Sequence, residues 1–197
     1  MLDNDTQRDL ILSAGLDLML QDGVGTFTID LLSQRLRMSK KTIYSLFPSK
    51  EDLLDEITDF LIMQLNDGLT QLKKKEKNPA KQFINTMEFI VKAAHRIPPQ
   101  RVGEVKLKYP HFWKKFEWFE KEQNKEFKKM LDDAQLQGYI RPELDTKSIA
   151  ELYIGIVTAT FQPDFFVENE TSVPDTIRLF VDLITGGLFT KEGMKYV

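Results

Sequence analysis

The sequence predicts an all-α protein that has a small N-terminal helix-turn-helix head and a larger C-terminal body of about six helices. Apolar residues recur at helical spacing through almost the whole chain, and no segment sustains the two-residue alternation of a strand. Residues that favour helix starts and ends separate these segments. Two very short helices follow one another between Thr28 and Phe47. We place the head at residues 1–48 and the body at residues 49–197.

The first predicted helix of the head runs from about Asp5 to Asp22. Gly23 suits its end, because glycine adopts a left-handed backbone without strain. Thr28 can cap a short second helix by accepting a backbone N–H. The apolar row of the first helix is Leu10, Ala14 and Leu18, and that of the second is Ile29, Leu32 and Leu36.

A third and a fourth helix are predicted after a turn at Arg37 and Met38. Ser39 can cap the third, which must end before Pro48 because a residue that precedes proline disfavours the helical conformation. Ser49, followed by an aspartate three residues later, is a capping-box pattern that opens the fourth helix. The third helix buries Ile43, Leu46 and Phe47, and the fourth carries an apolar stripe up to Lys73–Lys77.

The remaining helices of the body are also bounded by local signals. Asn78 can cap a helix whose first residue is Pro79, the position at which proline fits a helix best. That helix ends near Arg96, before Ile97-Pro98-Pro99. The further predicted helices are Arg101–Lys108, Pro110–Gln137 closed by Gly138, Thr146–Phe161 after a loop at Arg141-Pro142, and Pro174–Ile184.

The composition excludes several classes of protein. The chain has no cysteine, so disulfides, thiolate metal sites and thiol nucleophiles are excluded. Its first residues are polar and acidic, unlike a secretory signal, and no apolar run approaches the ~20 residues that span a bilayer. We therefore expect a soluble, cytoplasmic protein. The net charge of −3 makes the local distribution of charge more informative than the total.

No catalytic constellation is apparent, and we predict that the chain is not an enzyme and holds no cofactor or metal. It has two histidines, no glycine-rich phosphate loop and no Glu-x-x-His motif of helical di-iron bundles. The acids Glu117, Glu120 and Glu122 are candidate metal ligands. The neighbouring lysines Lys114, Lys115, Lys121 and Lys125 instead favour a solvated, salt-bridged helix.

The stretch from Thr28 to Lys50 carries the charges and polar groups that DNA binding requires. No acid lies between Leu36 and Lys50, and the acids of the head all come earlier in the chain. The second helix of a helix-turn-helix enters the major groove, where lysine and threonine can contact base edges. The candidate DNA-binding residues are Thr28, Arg37, Ser39, Lys40, Lys41, Thr42, Tyr44 and Lys50. From the residues alone, a merely solvated charged surface fits equally well.

A family resemblance favours DNA binding. It rests on Arg8, Ile11-Leu12, Ala14, Gly23, Thr28, Ser39-Lys40, Thr42-Ile43-Tyr44, Phe47, Ser49-Lys50-Glu51 and Leu53-Leu54. This pattern resembles the DNA-binding head of the tetracycline-repressor (TetR) family. The resemblance implies that Thr28, Lys40, Thr42, Tyr44 and Lys50 face DNA, with Tyr44 and Lys50 mostly on phosphates.

The chain departs from the family at two positions. Arg37 and Lys41 stand where the family often has glycine. Either Arg37 adopts a left-handed conformation at some energetic cost, or the turn has a different shape. Lys41 adds a cation to the recognition helix, which affects base preference more than the fold.

The last two predicted helices are apolar nearly all round, which indicates burial on two sides. The family resemblance implies that they pair with their copies in a four-helix dimer interface, for which we name Leu152, Ile156, Phe180 and Ile184. A central helix buried within a monomer is the alternative. A two-fold symmetric dimer implies a palindromic operator.

The aromatic segment Tyr109–Phe119 suggests an effector pocket in the body, by analogy with the family. The candidate lining residues are Phe89, His95, Tyr109, Trp113 and Phe116, although aromatic residues at helical spacing also fit an ordinary core. An apolar or amphipathic molecule is the default ligand. We thus expect a homodimeric repressor that a small-molecule effector releases from its operator. The alternatives are a helical adaptor without sequence-specific DNA binding, and a DNA-binding protein without an effector.

Overall fold

The fold is helical throughout the part of the chain that the computed structural model describes, which is residues 3–94, 105–160 and 173–197. The helices are α1 (Asn4–Gln21), α2 (Ile29–Leu36), α3 (Lys40–Leu46), α4 (Lys50–Lys75), α5 (Pro79–Ala94), α6 (Pro110–Leu136), α7 (Thr146–Thr160) and α8 (Val173–Leu188). Residues 105–108 are also helical, and a 3-10 turn spans Gly193–Lys195. Within these described ranges no β-strand occurs. The predicted all-α class is confirmed.

The predicted helix caps are present. The side chains of Thr28, Ser39 and Ser49 each accept the backbone N–H three residues further on, at 3.0 to 3.2 Å. Asn78 accepts two such N–H groups at the start of α5, at 2.9 and 3.1 Å. The hydroxyl of Ser49 also donates to the carboxylate of Asp52 at 2.7 Å. These bonds satisfy backbone donors that the first helical turn leaves open.

The largest difference from the sequence prediction within the described residues is at the end of α8. We predicted an end at Ile184, before a pair of glycines, but the helix continues to Leu188. Leu188 and Phe189 are buried in the core of the body, so tertiary packing outweighs the low helix propensity of Gly186 and Gly187. The boundaries that we predicted near Arg96, Arg101 and Phe161 lie outside the described residues.

The core of the head joins α1, α2 and α3 to the first half of α4. Ile11, Leu32, Ile43 and Ile57 are fully buried in it. Helices α1 and α4 approach closely at Gly15, where an added Cβ atom would lie 2.5 Å from the Cδ1 atom of Ile57. Any larger residue at this position would force the buried Ile57 side chain to shift, at the point where the head contacts the long helix that leads into the body.

The N-terminal part of α6 also belongs to the head. Phe112 is fully buried in the head core, and Tyr109 packs beside it. The ammonium of Lys115 lies 2.7 Å from a carboxylate oxygen of Asp55 and 2.8 Å from one of Asp59, both on α4. Desolvation lowers the pKa of Lys115, but the hydrogen bonds to these two carboxylates outweigh it and raise the pKa overall. Helix α6 is thus attached to the head by both apolar and ionic contacts.

The core of the body lies among α5, the second half of α6, α7 and α8. Phe83 contacts Phe127 and Phe189, with ring centroids 5.8 and 5.4 Å apart. Tyr153 of α7 stacks on Phe127 at 4.3 Å. An isolated antiparallel bridge joins Ile140 to Phe189 and attaches the end of α8 to the loop that follows α6.

Candidate DNA-binding surface and interior cavity

The turn between α2 and α3 is built around Arg37. This residue has φ 52° and ψ 37°, so it adopts the left-handed conformation that we gave as one of two possibilities. Its N–H donates to the carbonyl of Gln34 at 3.2 Å, and the N–H of Met38 donates to that of Ser33 at 3.0 Å. The hydroxyl of Ser33 donates back to the carbonyl of Met38 at 2.6 Å. These bonds close a Schellman-type helix end that holds a non-glycine residue at a cost of roughly 1–2 kcal/mol.

Helix α3 is fixed from the side that faces the protein. Ile43 and Phe47 are completely buried, whereas Tyr44 remains 44% exposed on the opposite side. The guanidinium of Arg8 lies 4.7 Å from the centroid of the Phe47 ring and donates to the carbonyl of Leu46 at 3.3 Å. Arg8 also forms an ion pair with Glu56 of α4. The outward side of α3 is therefore presented on a well-anchored helix.

The cations of this region have different surroundings. Arg37 and Lys41 are exposed. Lys40 forms an ion pair with Asp30 in the first turn of α2. Asp30 precedes the recognition helix in the sequence but lies beside it in the structure, because the turn folds α2 back beside α3. The ammonium of Lys50 lies 5.8 Å from the centroid of the Phe27 ring, at the start of α4.

Two of the hydroxyl groups that we named as DNA contacts also cap the N-termini of helices. The side-chain oxygens of Thr28 and Ser39 accept backbone N–H groups as caps. The hydroxyls of Ser39 and Thr42 lie 2.8 Å apart. A hydroxyl that accepts as a cap still has a proton to donate. The candidate DNA-binding residues thus lie along α3, in the turn before it, and at the starts of α2 and α4.

A cavity of about 890 Å³ lies in the body and extends to the head, since Leu16, Met19, Leu20 and Val24 of the head also line it. Three of the aromatic residues that we named, Phe89, Trp113 and Phe116, line it. Tyr109 does not line it, because its ring stacks on Phe112 at a centroid distance of 5.3 Å and packs against the head core. His95 lies outside the described residues.

One stripe of α6 forms a wall of this cavity. Trp113, Phe116, Glu120, Asn124 and Phe127 all line it and recur at spacings of three and four residues. Burial, followed by the nearby charge of Glu117, raises the pKa of Glu120. The expectation that this acid lies on a solvated, salt-bridged face is therefore wrong. Its aromatic neighbours at helical spacing were the signal in the sequence that could have placed it in the cavity.

The lysines near Glu120 in the sequence have other partners. Lys115 contacts α4, and Lys125 pairs with Glu122 at 2.6 Å. Glu117 accepts a hydrogen bond from the indole N–H of Trp113 at 2.8 Å. The Oδ1 atom of Asn124 is buried and accepts no hydrogen bond from the described residues. The stripe therefore presents an acid and an unused acceptor among aromatic rings.

Helices α7 and α8 present an exposed apolar face. Leu152, Leu179 and Leu183 are 64%, 60% and 70% exposed. Of the interface residues that we predicted, Leu152 is on this face and Ile156 is partly exposed. Phe180 and Ile184 are partly buried and pack against the core of their own body, whereas Leu179 and Leu183 are exposed. Residues four positions apart share a face of a helix, so Leu179 and Leu183 lie on one face of α8 and Phe180 and Ile184 lie on another.

The described residues contain no helix that is both long and apolar enough to cross a membrane. In the same ranges, no three acidic or histidine side chains are grouped so that they could hold a metal ion. A helix-turn-helix head, joined to a helical body with a cavity beside the junction, is the arrangement expected of a one-component transcriptional regulator.

The comparisons with known proteins place the similarity of this chain among bacterial transcriptional regulators. Residues 11–57 match the family described as "Bacterial regulatory proteins, tetR family", and this segment includes the whole helix-turn-helix. Across 92% of the chain and 95% of the relative, the sequence is 21% identical over 189 residues to YvaF, an HTH-type transcriptional regulator of Bacillus subtilis (strain 168). The match of the head and the similarity over the length of the chain support a DNA-binding transcriptional regulator of the TetR type, a family whose members are regulators and not enzymes.

Solved structures of regulators share the fold of the whole chain. A TetR transcription regulator from Haloarcula marismortui superimposes with a TM-score of 0.77 at 14% identity, covering 94% of this chain and 100% of that one. A transcriptional regulator from Saccharomonospora viridis, solved in complex with choline, has a TM-score of 0.71 at 16% identity and covers 95% and 100% of the two chains.

Proposed function

We propose that this regulator is a homodimeric repressor that binds a palindromic operator in the cytoplasm and leaves it when a small molecule fills the cavity. The observation that carries the proposal is the dual position of α6. Its N-terminal part is buried in the head core at Phe112, and its middle lines the cavity from Trp113 to Phe127. A ligand that prefers one position of α6 would therefore favour one arrangement of the heads.

The proposed DNA contacts follow the exposed side of α3. Lys41 and Thr42 lie where a major-groove helix meets base edges, and Tyr44 extends toward the phosphates. Arg37 and Lys50 flank the helix as phosphate ligands, and the hydroxyls of Thr28 and Ser39 can donate to phosphate oxygens. Under this proposal, residues 1–48 form the domain that binds the operator, and residues 49–197 form the domain that binds the effector and the second protomer.

The proposed dimer uses the exposed apolar face of α7 and α8. Three large leucines exposed on neighbouring helices are unusual for a surface that stays in water. A Cβ atom added at Gly155, Gly186 or Gly187 would meet no other atom of the described residues within 4 Å, so a partner helix can approach closely there. Two heads related by a two-fold axis would read two inverted half-sites.

Selection of genomic DNA with the purified protein, followed by binding across a salt series, tests the proposal. We expect a palindrome that a dimer binds with an affinity that falls steeply with salt. Thr42→Ala and Tyr44→Phe should each weaken operator binding several-fold without dissociating the dimer, while Lys191→Ala in the body serves as a control. Recovery of random fragments, or normal binding by both α3 variants, would contradict the proposal. Absence of any DNA binding would favour the adaptor alternative.

A further inference from the structure

The polar groups inside the cavity indicate the chemical class of its ligand. We propose that the effector is an amphipathic amine, with its protonated ammonium held by Glu120 and Asn124 and its apolar portion seated among the aromatic rings. This inference rests on the proposed function, in which a small molecule occupies the cavity.

The charges that line the cavity differ between its interior and its rim. Lys73 is half exposed and paired with Glu126, and Lys92 is largely exposed beside Glu88. Glu120 is half-buried, and none of the ion pairs among the described residues includes it. A carboxylate withdrawn from water is costly unless a cation joins it. A ligand cation would supply the missing partner, whereas an anionic headgroup would be repelled.

Asn124 specifies the headgroup further. Its buried Oδ1 atom lies one helical turn from Glu120 on the same stripe of α6, and it accepts no hydrogen bond from the described residues. A buried acceptor without a hydrogen bond favours a ligand that can donate one to it. A protonated amine carries N–H groups that can bond to Glu120 and Asn124 together, whereas a carboxylate or an ether has none to offer.

The aromatic rings around these two residues suit both parts of such a ligand. Trp113, Phe116 and Phe127 lie on the stripe itself, Phe89 lines the cavity from α5, and Tyr153 stacks on Phe127 at 4.3 Å. The faces of aromatic rings attract cations and also bury alkyl groups. Burial raises the pKa of Tyr153, and the negative charge of Glu120 adds a smaller effect, so the two groups interact across α6 and α7.

Three probes of equal chain length and different charge test the proposal: decylamine, decanol and decanoate. Binding to the full-length protein is measured by calorimetry and by tryptophan fluorescence, in which Trp113 reports on the cavity and the exposed Trp118 supplies a constant background. We expect decylamine to bind at least tenfold more tightly than decanol, and decanoate to bind weakest. Glu120→Gln should weaken decylamine binding by roughly ten- to a hundredfold, which matches the coupling of close charge pairs, and should leave decanol binding unchanged.

Two further variants test whether the effect on binding is specific to Glu120 and to the N–H groups of the ligand. Glu122→Gln removes a carboxylate that is paired with Lys125 on the same helix, and it should not change the affinity for decylamine. Asn124→Leu should weaken decylamine more than decyltrimethylammonium, which has no N–H to donate. Thermal melting of each variant establishes that it is folded.

Equal or tighter binding of decanol or decanoate, or an unchanged affinity in Glu120→Gln, would overturn the proposal. Operator release is measured separately. If decylamine binds through Glu120 while the operator stays bound, the ligand class stands and the effector-release step of the proposed function fails. If none of the probes binds while operator binding is normal, the ligand class is overturned and the DNA-binding function stands.

Discussion

Asp30→Asn should strengthen operator binding, although Asp30 is not a proposed DNA contact. In the free protein this carboxylate forms an ion pair with Lys40, the first residue of the recognition helix. The pair holds the ammonium toward α2 and also places a negative charge near the DNA phosphates. Asparagine retains the size of the side chain but releases Lys40, which can then reach a phosphate.

The expected gain follows from the exposure of the pair. Its two side chains are 56% and 60% exposed, and exposed ion pairs contribute about 0.2–1 kcal/mol. Two heads then give roughly 0.4–2 kcal/mol, a gain in affinity of about twofold to thirtyfold. Each additional phosphate contact steepens the plot of log K against log salt by about 0.9, so the dimer should gain about 1.8. Loss of an acid from the first turn of α2 should cost about 0.3–1 kcal/mol of stability.

The assay is a titration of the operator by fluorescence anisotropy at several salt concentrations. Asp9→Asn, at an exposed position of α1, makes the same change in net charge and controls for long-range electrostatics. The gain should disappear when Lys40→Ala is added to Asp30→Asn. An Asp30→Asn protein that is folded and dimeric but binds no more tightly, or an equal gain from Asp9→Asn, would refute the reasoning.

Three further predictions concern packing, assembly and titration. Gly15→Ala should lower the free energy of unfolding by about 1–2 kcal/mol in chemical denaturation, because crowding against buried Ile57 outweighs the gain in helix propensity; an unchanged midpoint would contradict it. Leu183→Glu should convert the dimer to a folded monomer in analytical ultracentrifugation, and a persistent dimer would place the interface elsewhere. Glu120 has a raised pKa, so its contribution to stability is greatest below its ordinary value of 4.5 and is lost as the pH rises through the raised value. Glu120→Gln should therefore melt at a higher temperature than the wild type at neutral pH, and this difference should vanish below pH 4.5; a difference that persists in acid would have another cause.

The head could be predicted from the sequence in detail because its signals are local. Thr28, Ser39 and Ser49 cap helices through bonds to residues three positions away, and Pro48 fixes the end of α3 through its own ring. The cap residues and the breaks between helices therefore specify the head almost element by element.

The features that the sequence analysis missed depend on contacts between helices. The pairing of Lys40 with Asp30 requires α2 and α3 to be folded against each other, which no spacing along the chain reveals. The orientation of α8 is similar: its composition is apolar nearly all round, so only packing against the body distinguishes inward Phe180 from outward Leu183. Glu120 resembled a surface acid because the partners of the nearby Lys115, on α4, are distant in the sequence.

The burial of Phe112 among head residues has a consequence for engineering. Exchange of heads between regulators commonly treats the DNA-binding segment as a module that can be cut after its last short helix. In this protein a cut after Pro48 would leave Phe112 with the body, where it would face a foreign head core in place of residues such as Ile11, Leu32 and Ile43. A chimera that is meant to retain its response to ligand should therefore leave α4 with the body, where Asp55 and Asp59 pair with Lys115, and match the residue at position 112 to the new head core.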